Sequence, residues 1–266
     1  MDHVELDFDR SPLSDPGALG RHLIEIPEFS PPALSPQVLP VARRAWEARA
    51  ASEYIGVMVV RRFHGLLVDV NAPSDLQELA LSMMLQEQQH TALCVAAARS
   101  LGSSGSLSFS LEELQRPRTS ATVDEQLLEM IVSAYCVGEV VALALIRHSI
   151  EVLPPSPYRD VLRRIAKDEV LHGRIGAPLL RLVRSEGAAR WLAYPGDEVV
   201  HKISAEAVRL MRARDVVEAD EAALFEDPRA AEELRSVGIP PSPGFRAEYH
   251  RALDVDVARV FTEERT

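Results

Sequence analysis

Two Glu-x-x-His motifs are the part of this sequence whose residue types and spacing best fit metal chemistry. They are Glu87-Gln88-Gln89-His90 and Glu169-Val170-Leu171-His172. Residues three apart lie on one face of a helix, so each motif directs a carboxylate and an imidazole towards the same point. Carboxylate and imidazole ligands together suit iron or manganese. One such motif arises easily by chance in a chain with 8 histidines, whereas two on core-facing positions are a strong indication of a metal site.

Two further glutamates, Glu53 and Glu139, occupy predicted core positions on other helical segments. Taken alone, each would be assigned to the surface, although the residues around Glu139 are almost all apolar. Four carboxylates close together in a dry core repel one another and lose hydration, which costs several kcal/mol for each ion. Two divalent cations would balance the four negative charges, and neutral imidazoles would complete their coordination.

Four long helical segments must position these side chains. They are predicted at residues 37–70, 74–100, 122–151 and 158–185, where helix-forming residues dominate and Pro, Gly and Ser separate the runs. Each has an inward stripe of three- and four-residue steps that is apolar or small except near its middle. Counting four residues back from Glu53 reaches Arg49, but we take Ala50 as the inward residue there. We expect the third stripe to continue from Glu139 to Ala142.

The rest of the chain flanks these helices. Residues 1–36 are rich in Pro, Ser and Asp, which predicts an extended arm wrapped over the helices. Residues 37–186 are predicted to form the four-helix unit, and residues 187–266 a helical extension packed on it, with helices near 197–216, 227–236 and 243–261. The connection of about 20 residues between the second and third segments either crosses the helices or carries a short element of its own. The expected fold class is therefore all-α.

Small residues recur on the stripes. They are Ala50, Gly56, Ala80, Ala142 and Gly176. Small side chains either leave room for a ligand beside the metals or allow the helices to approach closely, and the sequence leaves both interpretations open.

Composition and charge narrow the classes of function. The chain has 266 residues, 47% of them hydrophobic, with 40 acidic and 29 basic side chains and a net charge of −11. This acidity argues against a nucleic-acid surface, which needs a basic face. No stretch reads as a membrane span or a signal sequence, and Cys94 and Cys136 are too few for a disulfide framework or a tetrathiolate zinc site. We therefore expect a cytoplasmic protein without nucleic-acid or membrane partners.

The ligand pattern resembles that of the ferritin-like dimetal-carboxylate superfamily, in which two helices each supply one Glu and two others each supply Glu-x-x-His. The resemblance covers about residues 40–185. It implies an antiparallel four-helix bundle with a long crossover between the second and third helices. It also implies two metals, Fe/Fe, Mn/Fe or Mn/Mn, bridged by Glu87 and Glu169. The other ligands would be Glu53 and His90 on one metal, and Glu139 and His172 on the other.

Four neighbouring residues extend the resemblance. Asp168 is expected to hydrogen-bond the histidine of the first motif and fix its tautomer, with a surface pairing to Arg164 as an equal alternative. Gln86 stands where an acid would face the histidine of the second motif, and it accepts a hydrogen bond without a carboxylate's charge. Cys94 and Tyr135 lie next to the ligands on their stripes. Each is either redox-active or part of the core, and core packing is the favoured interpretation.

The members of this superfamily that fit best are oxygenases and oxidases. They use O2 as a co-substrate to oxidise a C–H or N–H bond of a small, mostly apolar substrate. The sequence has no Cys-x-x-Cys pair for a rubredoxin iron, so electrons would come from an external donor. The alternatives are a ferritin-type ferroxidase that handles iron and a non-catalytic metal-binding bundle. A homodimer is the assembly we consider.

Overall fold

The structure is a computed structural model that describes residues 3–6, 25–30, 33–110, 121–185, 187 and 191–263. Within these ranges it contains eight helices and one two-stranded sheet, so the fold is all-α with a minor β element. The four long helices are α1 (Val38–Asp69), α2 (Ser74–Ser100), α3 (Val123–Val152) and α4 (Pro157–Arg184). The shorter helices are α5 (Asp197–Arg212), α6 (Ala219–Leu224), α7 (Pro228–Ser236) and α8, which runs through Ser242–Arg251, a π-helical segment Ala252–Asp256 and Val257–Glu263.

Each predicted long helix agrees with the observed one to within one residue at both ends. The local chemistry of the helix ends explains this agreement. Thr122 and Glu125 form a capping box at the start of α3, in which the Thr122 backbone N–H donates to the Glu125 carboxylate over 2.7 Å. Ser156 accepts a hydrogen bond from the Arg159 backbone N–H at the start of α4, next to Pro157 in its first turn. Helix α6 was not predicted from the sequence.

The N-terminal arm and the second connection meet in the small sheet. β1 (His3–Leu6) pairs antiparallel with β2 (Leu107–Ser110). The connection therefore carries a short element of its own, as one of the two sequence interpretations expected. Phe29 of the arm packs against Tyr158 of α4, with ring centroids 5.0 Å apart. Of the predicted arm, the structure describes residues 3–6, 25–30 and 33–36. The remainder of the arm lies outside the described ranges, as do residues 111–120 of the connection.

Two apolar clusters occupy the two ends of the space between the long helices. The Trp46 cluster includes Trp46, Ala50, Leu93, Cys94, Ile146 and Ile165, and the Phe63 cluster includes Phe63, Met83, Leu128, Tyr135, Ile175 and Leu179. Helix α1 contacts α2 and α3, and α4 contacts the same two helices. Along the chain, α1 and α4 run from the Trp46 cluster to the Phe63 cluster, whereas α2 and α3 run the opposite way. Each of these four contacting pairs is therefore antiparallel.

The C-terminal helices pack on the outside of the long helices. α5 and α8 lie against α3, and α7 lies against α1. The Trp46 indole N–H donates to the backbone oxygen of Val237 over 2.8 Å, and the Tyr249 hydroxyl donates to the backbone oxygen of Met211 over 2.7 Å. Both hydrogen bonds satisfy buried polar groups. The first attaches the extension to α1, and the second joins α8 to α5 within the extension.

A π-helical segment interrupts α3 at Ile131–Gly138, directly before Glu139. A π turn contains more residues than an α turn, so it rotates the downstream face of the helix relative to the upstream face. After Glu139 the third stripe continues to the buried Leu143, while Ala142 is exposed. The step from Glu139 is four residues instead of three, so the prediction that Ala142 packs in the core was wrong.

The sequence expectation about membrane spans also needs correction. Helix α3 is long and apolar enough to cross a membrane by length and composition alone, with a mean hydropathy of 1.9 in its most apolar window. Within the described residues, 61% of that window is buried inside the protein. A buried core helix passes the same test, so this finding assigns no location.

Candidate metal centre

The structure brings the six predicted ligand residues together in one layer, called here the polar layer. On each long helix these residues lie between positions that belong to the Trp46 cluster and positions that belong to the Phe63 cluster. They form two groups whose ligand atoms lie within 4.8 Å of one another: Glu53, Glu87, His90 and Glu169, and Glu87, Glu139, Glu169 and His172. Glu87 and Glu169 belong to both groups, and they are the two residues predicted to bridge a pair of metals.

Both histidines direct Nδ1 into the polar layer. His90 Nδ1 lies 3.3 Å from Glu169 Oε1 and 3.4 Å from Glu53 Oε2. His172 Nδ1 lies 2.9 Å from Glu87 Oε1 and 3.5 Å from Glu169 Oε1. Both imidazoles are fully buried, and neither Nδ1 atom has a hydrogen bond of acceptable geometry among the described residues. A buried nitrogen that faces several carboxylate oxygens without a hydrogen bond fits a metal ligand.

The second nitrogen of each imidazole has a polar partner outside the layer. Asp168 Oδ2 lies 3.2 Å from His90 Nε2, and Gln86 Oε1 lies 3.0 Å from His172 Nε2. With Nε2–H donating to these oxygens, Nδ1 presents its lone pair to the carboxylates. Both contacts are those expected from the sequence, and the pairing of Asp168 is with His90 rather than with Arg164.

Burial and mutual repulsion control the protonation of the carboxylates. Burial raises the pKa of Glu87 to about 7, and it raises the pKa of Glu139 well above its usual range, with added repulsion from Glu169 and Glu87. Burial acts in the same direction on Glu169, but His172 and His90 outweigh it and lower the pKa of that carboxyl to about 2. Cations in the polar layer would favour the ionised form of all these groups and displace their protons.

The same carboxylates act on the imidazoles. Burial opposes protonation of His90, but its contacts with Asp168, Glu169 and Glu53 outweigh burial and raise its pKa to about 12. A metal ligand must be deprotonated at the coordinating nitrogen. Metal binding in this layer would therefore release protons from the histidines as well as from the carboxylic acids.

Two glycines show why small residues lie beside the polar layer. A Cβ atom at Gly56 would lie 2.7 Å from Glu87 Cδ, so Gly56 leaves room for a carboxylate of the layer. A Cβ atom at Gly176 would lie 2.7 Å from the carbonyl carbon of Tyr135, so Gly176 allows α4 to approach the π-helical segment of α3. Gly176 thus shows the close helix approach that was one of the two interpretations, whereas room for a bound ligand beside the metals stays a prediction.

Cys94 and Tyr135 are both fully buried, one in each apolar cluster. Burial raises the pKa of the Cys94 thiol, which keeps it protonated. The Tyr135 ring packs against Phe63 with centroids 4.8 Å apart, and its hydroxyl has no hydrogen-bond partner among the described residues. Both residues pack in the core, which was the favoured interpretation, and a redox role for either stays a prediction.

A cleft of about 1170 Å³ leads from the surface to the polar layer. All four carboxylates of the layer line it. Ala142, Ile146 and Ile165 add apolar surface close to the carboxylates, and residues of α6 and α8 form part of the outer wall. Sequence reasoning missed this cleft, together with Arg49 and Glu221 in its lining. The spacing of four residues between Arg49 and Glu53 was the one signal that pointed to Arg49.

Comparisons with known proteins add no family to this geometry. Protein-family models, curated proteins and solved structures give no significant match to the chain. The resemblance to the ferritin-like dimetal class therefore rests on the ligand residues and their spacing, and it stays a proposal.

Proposed function

We propose that this chain is a ferritin-like dimetal-carboxylate oxidoreductase that uses O2 to oxidise a C–H or N–H bond of a small, mostly apolar molecule. The observation that carries the proposal is the polar layer itself. Two ligand groups share Glu87 and Glu169, and each group faces an imidazole Nδ1 atom that has no hydrogen bond of acceptable geometry among the described residues. Four carboxylates and two imidazoles are a donor set that suits two iron ions, two manganese ions or one of each.

The packing of the long helices supports the finer description of the fold. Each of α1 to α4 contacts two others, and all contacting pairs are antiparallel. Helices α2 and α3 run in the same direction. These directions support an antiparallel four-helix bundle with a crossover between its second and third helices.

The six residues divide naturally between two metals. Glu53 and His90 would complete one site, Glu139 and His172 the other, with Glu87 and Glu169 between them. When bound in such a layer, two redox-active metals would supply the chemistry of O2 activation. The chain's own contribution is to hold the imidazoles through Asp168 and Gln86, to exclude water with the two apolar clusters, and to admit substrate through the cleft. The external electron donor, the homodimer and the cytoplasmic location stay predictions.

Metal content and oxygen uptake test this proposal directly. The purified chain is loaded anaerobically with Fe(II), its iron is counted, and O2 consumption is recorded with an electrode. We expect two irons per chain, rapid O2 uptake and a visible absorption change. Iron uptake that continues far beyond two per chain in a large closed oligomer would indicate a ferritin-type store. Two bound metals without O2 uptake would indicate a non-catalytic metal-binding bundle.

The hydrogen bond from His90 to Asp168 provides a second prediction. Asp168→Asn removes the negative charge that fixes and polarises the imidazole, so we expect metal affinity at the His90 side to fall about 10–100-fold. Equilibrium titration with Mn(II) or Fe(II) measures this loss. Asp160→Asn is the matched control, because Asp160 lies on the same helix, is exposed and pairs with the exposed Arg163 over 3.5 Å. Equal affinities in the two variants would contradict the role given to Asp168.

A further inference from the structure

Three arginines line the cleft in the described part of the chain: Arg44, Arg49 and Arg214. Arg44 and Arg214 are exposed at its rim, and Arg44 forms an ion pair with Asp220. Arg49 differs from both because it is half-buried and lies four residues before Glu53 on α1. Four residues of helix rise about 6 Å, so Arg49 stands one turn from the polar layer.

The guanidinium of Arg49 is held in place by an aromatic ring. Its Cζ atom lies 5.4 Å from the centre of the Trp46 ring, and Trp46 is fully buried and hydrogen-bonded to Val237. A cation–π contact of this kind holds the guanidinium beside the ring and leaves its N–H groups able to bind a partner. Arg49 is therefore a cation held inside the cleft by Trp46.

No ion pair joins Arg49 to a carboxylate of the described residues. Two of the acids that line the cleft have partners elsewhere. Glu53 Oε2 lies 3.4 Å from His90 Nδ1, and Asp220 forms an ion pair with Arg44. Burial raises the pKa of Glu221 to about 7, and the positive charge of Arg49 is the largest influence in the opposite direction. Arg49 is therefore a half-buried cation with unused hydrogen-bonding capacity.

We propose that Arg49 binds the carboxylate group of the substrate, so that the cleft accepts a small organic acid whose apolar part lies against Ile146 and Ile165 beside the polar layer. This inference rests on the proposed function, because it takes the polar layer as the place of reaction. A planar guanidinium matches a carboxylate with two parallel hydrogen bonds. A phosphate dianion fits less well, because one arginine would face it while Glu218, Asp220 and Glu221 repel it from the cleft wall.

Trp46 offers a direct reporter of binding at Arg49. The chain has two tryptophans, so Trp191→Phe leaves Trp46 as the only indole. The full-length variant is titrated with acetate, hexanoate, decanoate and benzoate, before and after loading with Mn(II), while Trp46 emission is recorded. Hexanamide and decanamide are the neutral analogues of matched length. We expect a saturable change of emission with the longer acids and benzoate, and none with the amides.

Substitutions at Arg49 then test the contact itself, with calorimetry as a readout that does not depend on Trp46. Arg49→Gln is expected to raise the Kd of the acids at least about tenfold, as loss of a charge-assisted hydrogen bond does. Arg49→Lys keeps the charge without the planar fork and is expected to lie in between. Arg44→Gln removes the same charge from the rim of the cleft, and we expect its Kd to stay within about twofold of the parent.

Three results would each overturn the inference. They are equal acid affinity in the parent and in Arg49→Gln, equal binding of acids and amides, and no binding of any acid in the series. The metal content of the same samples separates this failure from failure of the proposed function. If the chain holds two metals but its acid binding does not depend on Arg49, only the proposed substrate class is refuted. A chain that binds acids through Arg49 but holds no metal refutes the oxidoreductase.

Discussion

Replacing Glu169 with alanine is expected to abolish oxygen consumption by the metal-loaded chain. Glu169 belongs to both ligand groups, and its Oε1 atom lies 3.3 Å from His90 Nδ1 and 3.5 Å from His172 Nδ1. Its loss therefore removes a donor from both metals at once. We expect a decrease of more than about 100-fold, because partners outside the first coordination sphere already contribute 10–100-fold.

The experiment needs variants that separate metal binding from folding. Glu169→Gln keeps the volume of the side chain and removes the charge, so it tests the charge alone if the alanine variant unfolds. Glu129→Ala is the matched control, because Glu129 lines the same cleft but is exposed and lies outside both ligand groups. Iron per chain, O2 uptake and the thermal unfolding midpoint are measured for all three. Two irons per chain and full O2 uptake in both Glu169 variants would refute the proposed function.

The ligand set was accessible from the sequence because it depends on helix geometry alone. Glu87 and His90 share a face of one helix, as do Glu169 and His172, and a spacing of three residues suffices to place them together. A carboxylate in the middle of an apolar stripe then indicates which face points inward. The contact of Asp168 with His90 was expected from the resemblance, in which an acid next to one ligand faces the histidine of the opposite helix.

The parts that the sequence did not reveal depend on contacts between distant segments. The π-helical segment of α3 lies where Gly176 of α4 meets the Tyr135 carbonyl group, and local periodicity contains no signal for such a contact. The pairing of β1 with β2 joins segments about one hundred residues apart, which hydrophobic patterning does not specify.

The cleft was missed for a related reason. Its outer wall includes Glu221 of α6 and Tyr249 of α8, both from the C-terminal extension. The position of that extension on α1 and α3 cannot be read from the pattern of any single helix. Arg49 is a candidate binding residue only because it lines this cleft. An arginine next to a core position is otherwise an ordinary surface residue.

Gly176→Ala is expected to have the largest effect of any conservative substitution on α4. The added Cβ atom would lie 2.7 Å from the Tyr135 carbonyl carbon and 2.9 Å from the Cys136 Cα atom, and these backbone atoms cannot move aside by a rotamer change. Overpacking of this kind costs about 1–3 kcal/mol of folding stability. Because the neighbouring atoms belong to the backbone, we expect a cost at the upper end of this range. Alanine regains about 1 kcal/mol through its higher helix propensity. We therefore expect a net loss of about 1–2 kcal/mol, measured by urea unfolding of the metal-free chain.

Gly65→Ala is the control that makes this result interpretable. Gly65 lies inside α1, and a Cβ atom there would meet nothing within 4 Å. The same substitution should therefore stabilise the chain by about 0.5–1 kcal/mol through propensity alone. Displacement of Tyr135 and Cys136 also shifts Glu139 one turn later, so Gly176→Ala should weaken metal binding whereas Gly65→Ala should not. Equal stability of the two variants would show that α4 does not approach the π-helical segment closely, and the placement of Glu139 beside His172 would lose its support.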